Sequence, residues 1–137
     1  MTKEESKETV RSFINILNSR DLLKLDDVCD DNMEYRVNTE VGARDLKTYK
    51  EVIQNSQNAF PDLEFIIEEL IAEDNKVHMI YKLVGTHEGE YMGIKASKNK
   101  VELHVSAVLT IKNGKIIEQK EFYDSLTFLK QVDAVSD

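Results

Sequence analysis

A long stretch of alternating apolar and polar residues, at positions 76–124, constrains the fold more than any other feature of the sequence. Residues 77–83 alternate in this way, and residues 101–111 carry apolar side chains at every odd position. A period of two is typical of β-strands whose two faces differ. Asn113-Gly114 separates two such runs and supplies the positive φ angles of a tight hairpin turn. The stretch therefore predicts three long antiparallel strands.

Helical patterns come earlier in the chain. Residues 3–18 repeat apolar side chains at helical spacing and predict an amphipathic helix. Asp21 is a candidate cap for a short second helix, and Asp45 is a candidate cap for a third that Pro61 ends. A strand then begins near Leu63, and its change of phase predicts a β-bulge near Glu68-Glu69. Helices followed by consecutive strands predict an α+β fold with the helices on one face of a curved sheet.

Length and charge narrow the class of protein. The chain has 137 residues, which suits a single domain over residues 1–137. The formal net charge of −8 disfavours nucleic acid and anionic membrane surfaces as partners. No apolar run is long enough to span a bilayer, and the first residues lack the apolar segment of a secretion signal. The lone cysteine, Cys29, is predicted to be a buried structural thiol, and we expect a cytoplasmic protein.

The sequence lacks the motifs of nucleotide binding, serine hydrolysis and thiol redox chemistry. The sequence lacks a Gly-rich phosphate loop, a Gly-x-Ser-x-Gly elbow and a Cys-x-x-Cys pair. His78, His87 and His104 do not show a short metal-ligand spacing, so we expect no metal site. His87 and Glu88 lie in a glycine-rich string, where a structurally demanding loop is favoured over an acid–base pair.

Three strings in this order resemble one known family. They are Ala59-Phe60-Pro61-Asp62-Leu63-Glu64-Phe65, then Gly85-Thr86-His87-x-Gly89-Glu90-x-x-Gly93-Ile94, then Asn113-Gly114-Lys115-Ile116-x-Glu118 with Asp124 downstream. The chain resembles the SnoaL-like polyketide cyclases of the nuclear-transport-factor-two-like superfamily, which also contains ketosteroid isomerase. The resemblance implies a cone-shaped, cystatin-like α+β barrel, in which a curved and mostly antiparallel sheet wraps around the N-terminal helices.

The resemblance also implies a function. Cyclases of this family close a ring by intramolecular aldol condensation without metal or organic cofactor, and they often form homodimers through the sheet. We therefore expect a cofactor-independent acid–base enzyme, a cyclase or isomerase, acting on a small, largely apolar carbonyl compound. A non-catalytic ligand-binding protein and an interaction module on the same fold are the alternatives. Gln119 and Lys120 stand where family members often carry His-Trp, which alters the polar groups of the pocket.

In cyclases of this family, an aspartate that follows the Gly-Lys-Ile-x-Glu string acts as the acid–base group. The resemblance implies that Asp124 has this role. Burial against apolar walls would raise the pKa of Asp124 toward the useful range, although this residue is an equally good candidate for capping the last helix. His104 is a second candidate catalytic residue, with a hydrogen-bonded position on the sheet as the alternative. The expected pocket residues share an apolar or aromatic character or lie near its mouth: Phe13, Leu17, Tyr35, Tyr49, Ile53, His87 and Phe122. Which face of the sheet lines the pocket, and which forms the dimer, stays open.

Overall fold

Residues 1–136, the part of the chain that the computed structural model describes, form three α-helices, one 3₁₀ helix and six β-strands. In chain order they are α1 (Lys3–Ser19), the 3₁₀ helix (Leu22–Asp27), β1 (Cys29–Val37), β2 (Glu40–Ala43), α2 (Leu46–Ala59), β3 (Glu64–Glu73), β4 (Lys76–Thr86), β5 (Lys100–Lys112), β6 (Lys115–Phe122) and α3 (Ser125–Gln131). Asp137, the last residue of the predicted domain, lies outside the described part of the chain.

Helix α1 begins at a capping box and buries one apolar stripe. The Thr2 hydroxyl accepts a hydrogen bond from the Glu5 N–H, and the Glu5 carboxylate accepts one from the Thr2 N–H. These two bonds satisfy donors that a helix N-terminus would otherwise leave free. Val10, Phe13 and Leu17 on the stripe are at most 1% exposed. The predicted amphipathic helix is confirmed.

The two predicted caps after α1 have different outcomes. Asp45 caps α2, because its carboxylate accepts a hydrogen bond of 2.8 Å from the Thr48 N–H. The prediction that Asp21 caps the next helix is wrong, since its side chain makes no cap hydrogen bond. The Asp21 carboxylate lies 3.8 Å from the Lys24 ammonium instead, and the segment is a 3₁₀ helix.

The six strands form one curved sheet in the order β2-β1-β6-β5-β4-β3. Neighbouring strands are antiparallel except β1 and β6, which are parallel. Strands β2 and β3 are free edges, so the sheet curls around the helices without closing into a barrel. Helix α1 packs on β3 and β4, α2 on β1 and β2, and α3 on β5. The α+β fold class predicted from the sequence is confirmed.

The turns follow the chemistry of the sequence. Asn113 and Gly114 have φ angles of 53° and 77° and join β5 to β6, with Lys112 paired to Lys115. These angles match the type I′ turn expected of Asn-Gly. The pairing of β3 with β4 slips between Ile67 and Glu69, which confirms the predicted bulge.

A second bulge, in β6, decides which side chains face the helices. Thr110 pairs with Glu118 while Ile111 pairs with Ile116, so β6 contains one extra residue at this point. One extra residue moves every following side chain to the other face. We call the face toward the helices the inner face and the opposite one the outer face. Beyond the bulge, Gln119 and Glu121 lie on the inner face.

Candidate active site

A cavity of about 460 Å³ lies between the helices and the inner face of the sheet. Its walls come from α1, α2, α3 and all six strands, and they are mostly apolar and aromatic. The exposed side chains of Val41 and Met92 belong to its lining and mark its open side. A concave apolar space with a few polar groups is the usual form of a small-molecule site.

Glu121 is the polar centre of this cavity. Its side chain is 6% exposed, and its carboxylate accepts three hydrogen bonds. The Tyr35 hydroxyl donates to Oε2 at 2.8 Å, while the Tyr81 hydroxyl and the Gln119 amide donate to Oε1 at 2.9 and 2.8 Å. A carboxylate has about four acceptor positions, so one position on Oε2 is left free.

The strand register explains how these groups meet. Tyr35 lies on β1, which runs parallel to β6 and pairs Tyr35 with Gln119. Tyr81 lies on β4, with β5 between it and β6. The residue of β5 opposite Glu121 is Ala107, whose short side chain leaves the space through which the Tyr81 hydroxyl reaches the carboxylate. The cluster is therefore built by three strands and by one small residue between them.

Burial and hydrogen bonding act in opposite directions on Glu121. Desolvation raises the pKa of Glu121, and the three donated hydrogen bonds offset part of that increase. The pKa values of Tyr35, Tyr81 and Tyr49 are raised well above the ordinary tyrosine value, by burial first and then by the charge on Glu121. The phenols therefore keep their protons, and the carboxylate acts as the acceptor.

Tyr49 and Gln119 add two further polar atoms. Tyr49 is 1% exposed and lies edge-on to Tyr35, with ring centroids 4.9 Å apart. It lines the cavity, but it is not among the groups that donate to Glu121. Gln119 is 2% exposed, and its Oε1 has no hydrogen-bond partner within residues 1–136.

Five of the residues predicted to form a pocket line this cavity. They are Phe13, Leu17, Tyr35, Tyr49 and Ile53. The ring of Phe13 stacks on Tyr49 with centroids 6.0 Å apart, so α1 and α2 meet at the cavity wall. The fold thus brings together predicted pocket residues from α1, α2 and β1.

Asp124 has a different environment from the predicted one. It caps α3: its Oδ1 accepts from the N–H groups of Leu126 and Thr127, and its Oδ2 accepts from the Thr127 hydroxyl. The expectation that burial raises the pKa of Asp124 is wrong. Hydrogen bonds from the Thr127 side chain and backbone lower its pKa, and the group is solvent-exposed. Asp124 is not part of the cavity lining, and its assignment as the acid–base group stays a prediction.

His104, Phe122 and Asp124 border a shallow depression on the outer face. His104 pairs through Nδ1 with the Glu68 carboxylate at 2.9 Å, which is the hydrogen-bonded position weighed from sequence. Phe122 is 50% exposed, because the bulge in β6 turns it outward and turns Glu121 inward. The expectation that Phe122 forms a wall of the cavity is therefore wrong.

His87 is fully buried but does not line the cavity. Its ring stacks on Phe60, which does line it, with centroids 5.2 Å apart. Its Nδ1 accepts a hydrogen bond of 3.1 Å from the Ser97 N–H and lies 3.0 Å from the Ser97 hydroxyl. The observed contacts are those of a residue that holds a glycine-containing loop against the helices.

Sequence reasoning missed Glu121 and Tyr81 as site residues and did not assign Gln119 a contact. Residues 118–121 read Glu-Gln-Lys-Glu, and a run that is polar on both faces gives no periodic signal. The bulge that sets the orientation of this run leaves no sequence signature of its own. Tyr81 could have been found, since it belongs to the apolar face of an alternating strand.

The described residues contain neither a cluster of metal-ligating side chains nor a helix that could span a membrane. No group of three or more His, Cys, Asp or Glu side chains within residues 1–136 is placed to hold a metal ion. In the same part of the chain, no helix has both the length and the apolar character needed to cross a membrane.

Burial raises the pKa of the Cys29 thiol to about 12, which leaves it protonated and unreactive, as expected of a structural cysteine.

The fold and cavity define an α+β protein with a buried carboxylate between a curved sheet and its helices. The family model for SnoaL-like polyketide cyclases matches residues 7–132. The chain belongs to this family. No curated protein matches the sequence significantly.

Solved structures share the fold at low sequence identity. A SnoaL-like protein of Jannaschia sp. CCS1, provisionally assigned as a polyketide cyclase, has a TM-score of 0.88 at 17% identity, covering 98% of this chain and 95% of that one. AclR of Streptomyces galilaeus, provisionally assigned as a hydroxylase, has a TM-score of 0.86 at 19% identity, covering 98% and 100%. IdmH of Streptomyces antibioticus, provisionally assigned as a polyketide cyclase, has a TM-score of 0.81 at 22% identity, covering 93% and 98%. At these identities the likeness establishes the fold alone.

Proposed function

We propose that the protein is a cofactor-independent acid–base enzyme in which Glu121 removes and returns a proton on a small, largely apolar carbonyl compound. The observation that carries this proposal is a buried carboxylate that accepts hydrogen bonds from two tyrosines in a mostly apolar cavity. A base works best when its pKa lies near the working pH, and desolvation moves a glutamate in that direction. Family membership supports the cyclase form of this chemistry.

The geometry suggests separate roles for the polar groups. The free acceptor position on Glu121 Oε2 takes a proton from the carbon beside a carbonyl, which leaves an enolate. The hydroxyls of Tyr35 and Tyr81 already donate to the carboxylate, whereas Tyr49 does not. Tyr49 is therefore our candidate donor to the enolate oxygen. In a cyclase, the enolate carbon would bond to a second carbonyl carbon of the same molecule, and Glu121 would return its proton to the new alkoxide.

A substrate-independent probe tests this proposal. The base-catalysed opening of 5-nitrobenzisoxazole removes one proton from carbon and breaks the N–O bond, and it forms a coloured phenolate. We expect the protein to accelerate this reaction, with a rate that rises with pH through the raised pKa of Glu121 and then levels off. Glu121→Gln should lower the rate by roughly 10²–10⁴-fold, the usual effect of losing a general base.

Glu118→Gln is the matched control for that measurement. Glu118 lies on the same strand, its carboxylate is 3.7 Å from the Lys120 ammonium, and it does not line the cavity. It should keep the wild-type rate. Equal rates for Glu121→Gln and wild type would remove Glu121 from the mechanism.

Ligand binding without turnover is the second candidate function. The observation in its favour is that three hydrogen bonds already occupy Glu121, which is also how a structural carboxylate is held. A protein that binds small arenes tightly but does not accelerate the probe reaction would have this function. The interaction module has less support, because the cavity between the layers is not filled by side chains.

We also propose that two copies of the chain pair through the outer face. Ile80 and Phe122, 41% and 50% exposed, are apolar side chains of β4 and β6 beside the same shallow depression. Replacing both with glutamate would place like charges across a twofold contact. We expect sedimentation to give a dimer for the wild type at micromolar concentration and a monomer for the double variant. A wild-type monomer would contradict this proposal.

A further inference from the structure

The turn at the open side of the cavity carries an apolar residue in an unfavourable conformation. Met92 and Gly93 form the tip of this turn, and the backbones of Tyr91 and Ile94 exchange hydrogen bonds of 3.0 and 2.8 Å at its base. Met92 has a φ angle of 52°, in the left-handed region that residues with a Cβ atom rarely adopt. Its side chain is also 74% exposed. Neither the conformation nor the exposure favours a methionine at this position.

The turn between β5 and β6 shows which residue this geometry favours. Asn113 and Gly114 have φ angles of 53° and 77°, and Met92 and Gly93 have φ angles of 52° and 77°. Asn is several-fold enriched at positive φ and suits an exposed turn. Met92 lines the cavity, whereas Asn113 does not. Because the two turns have the same φ angles, the geometry of the turn does not explain the methionine.

Contacts with the cavity wall hold the methionine turn in place. The Gly89 N–H donates a hydrogen bond of 3.0 Å to the Ala59 carbonyl at the end of α2. The Tyr91 ring lies edge-on to the rings of Phe60 and Phe128, with centroids 5.6 and 6.0 Å away. All three rings line the cavity. The turn is therefore anchored to the wall, and its tip lies at the mouth.

The chemistry of the mouth indicates what can lie against Met92. Val41, 36% exposed, is the other exposed apolar residue of the lining, and Glu40 beside it is the exposed acidic one. None of the lining residues within residues 1–136 is Lys, Arg or His. An anionic group at the mouth would meet a carboxylate and no cation. A methionine side chain is flexible and polarizable, and it packs well on aliphatic and aromatic groups of varied shape.

We propose that Met92 is a specificity-determining residue, which covers an uncharged alkyl or aryl group at the solvent-facing end of the ligand. This inference rests on the proposed function, which supplies the ligand class, a small and largely apolar carbonyl compound. Contact with the ligand removes apolar surface of both partners from water. That gain offsets the cost of a methionine at positive φ, since strained residues persist where they serve binding. A ligand that ends short of the mouth gains nothing from Met92.

The experiment compares two ketones in the full-length protein. The probes are acetophenone and 4-hexylacetophenone, which adds an alkyl chain long enough to reach the mouth. Met92→Asn should raise the melting temperature by roughly 2–4 °C, because Asn tolerates positive φ. The same variant should lower the ratio of the two affinities, hexyl to parent, roughly five- to tenfold, because the chain loses its apolar contact.

Two further variants separate conformation from contact. Met92→Leu keeps an apolar side chain at positive φ, so most of the affinity ratio should remain while the melting temperature does not rise. Asn113→Met is the matched control, since it places a methionine at the same φ angle away from the cavity. It should lower the melting temperature by roughly 2–4 °C and leave the affinity ratio unchanged.

Oxidation by hydrogen peroxide gives a second measurement that needs no variant. Peroxide transfers one oxygen atom to the thioether sulfur, which yields methionine sulfoxide and water. Saturating 4-hexylacetophenone should slow the oxidation of Met92 severalfold, and acetophenone should slow it less. The methionine introduced by Asn113→Met should oxidise at one rate with or without the ligand. Met33 and Met79 are at most 1% exposed, and their resistance shows that the protein stays folded.

The outcomes decide the inference. An unchanged affinity ratio in folded Met92→Asn overturns it, and so does oxidation of Met92 that 4-hexylacetophenone fails to slow. A melting temperature of Met92→Asn below that of the wild type would show that the side chain packs on the protein itself, which also overturns it. So does a wild type that does not bind the hexyl probe. Failure of the proposed catalysis is recognised separately, because Glu121→Gln would then open 5-nitrobenzisoxazole as fast as the wild type.

Discussion

Two carboxylates three residues apart, Glu121 and Asp124, have opposite environments at the end of β6. Glu121 lies on the inner face, where burial raises its pKa. Asp124 lies in solvent at the start of α3, where hydrogen bonds from Thr127 lower its pKa. The comparison shows that environment, and not residue type, distinguishes a candidate base from a helix cap.

The largest expected effect is a difference in reaction rate between variants of these two carboxylates. Asp124→Asn keeps an amide oxygen for the cap, so we expect it to fold and to open 5-nitrobenzisoxazole within about twofold of the wild-type rate. Glu121→Gln should lose roughly 10²–10⁴-fold in the same assay. The assignment of Asp124 as the acid–base group would be restored if the two variants exchanged these outcomes.

The second prediction concerns the donors that hold Glu121. Tyr35→Phe and Tyr81→Phe each remove one hydrogen bond that favours the charged carboxylate. The pKa of Glu121 should then rise further, and the midpoint of the pH–rate profile should move upward. On the acidic limb the rate should fall roughly tenfold, the usual worth of a hydrogen bond to a charged group. Tyr123→Phe is the control, because Tyr123 also lines the cavity but is not among the groups that donate a hydrogen bond to Glu121, and it should leave the midpoint in place.

A smaller effect is expected from Gly42 on β2. A Cβ atom there would lie 2.8 Å from Cδ2 and 3.0 Å from Cε2 of Tyr35, closer than such atoms pack. Gly42→Ala should therefore displace the ring that donates to Glu121 and lower the rate by roughly threefold, part of the worth of that hydrogen bond. The test is non-additivity: in a Tyr35→Phe background, Gly42→Ala should have little further effect on the rate. Equal effects in both backgrounds would show that Gly42 acts by another route.

Much of the fold could be predicted because local chemistry and global structure agree. The alternation in β4 and β5, the Asn113-Gly114 turn and the Asp45 cap each specify one local geometry. The resemblance to the SnoaL-like family then supplied the arrangement of these elements. The predicted pocket residues on α1 and α2 line the cavity, because the periodic patterns of these helices orient them.

The candidate site could be predicted less well, because its central residue depends on a feature without a local signature. Counting by twos from Ile116 along β6 would turn Phe122 toward the helices and Glu121 toward solvent. One extra residue in the pairing with β5 reverses this. The contact between Tyr81 and Glu121 also depends on the small Ala107 between them, which only the strand order reveals.

The last prediction concerns the pH dependence of the free energy of unfolding, to which the two carboxylates should contribute with opposite signs. The folded-state pKa of Glu121 is raised, so the folded state binds its proton more tightly than the unfolded chain does. Stability should then decrease as pH rises from about 4.5, the unfolded value, through the raised folded pKa, and stay constant above it. The folded-state pKa of Asp124 is lowered, so its contribution is present above its unfolded pKa and is lost as pH falls through the folded pKa. Urea unfolding across this range should show that Glu121→Gln removes the first decrease and leaves the acidic one, while Asp124→Asn weakens only the acidic one. A Glu121→Gln curve parallel to the wild type at every pH would mean that Glu121 titrates alike in both states, and the distinction between the two carboxylates would fail.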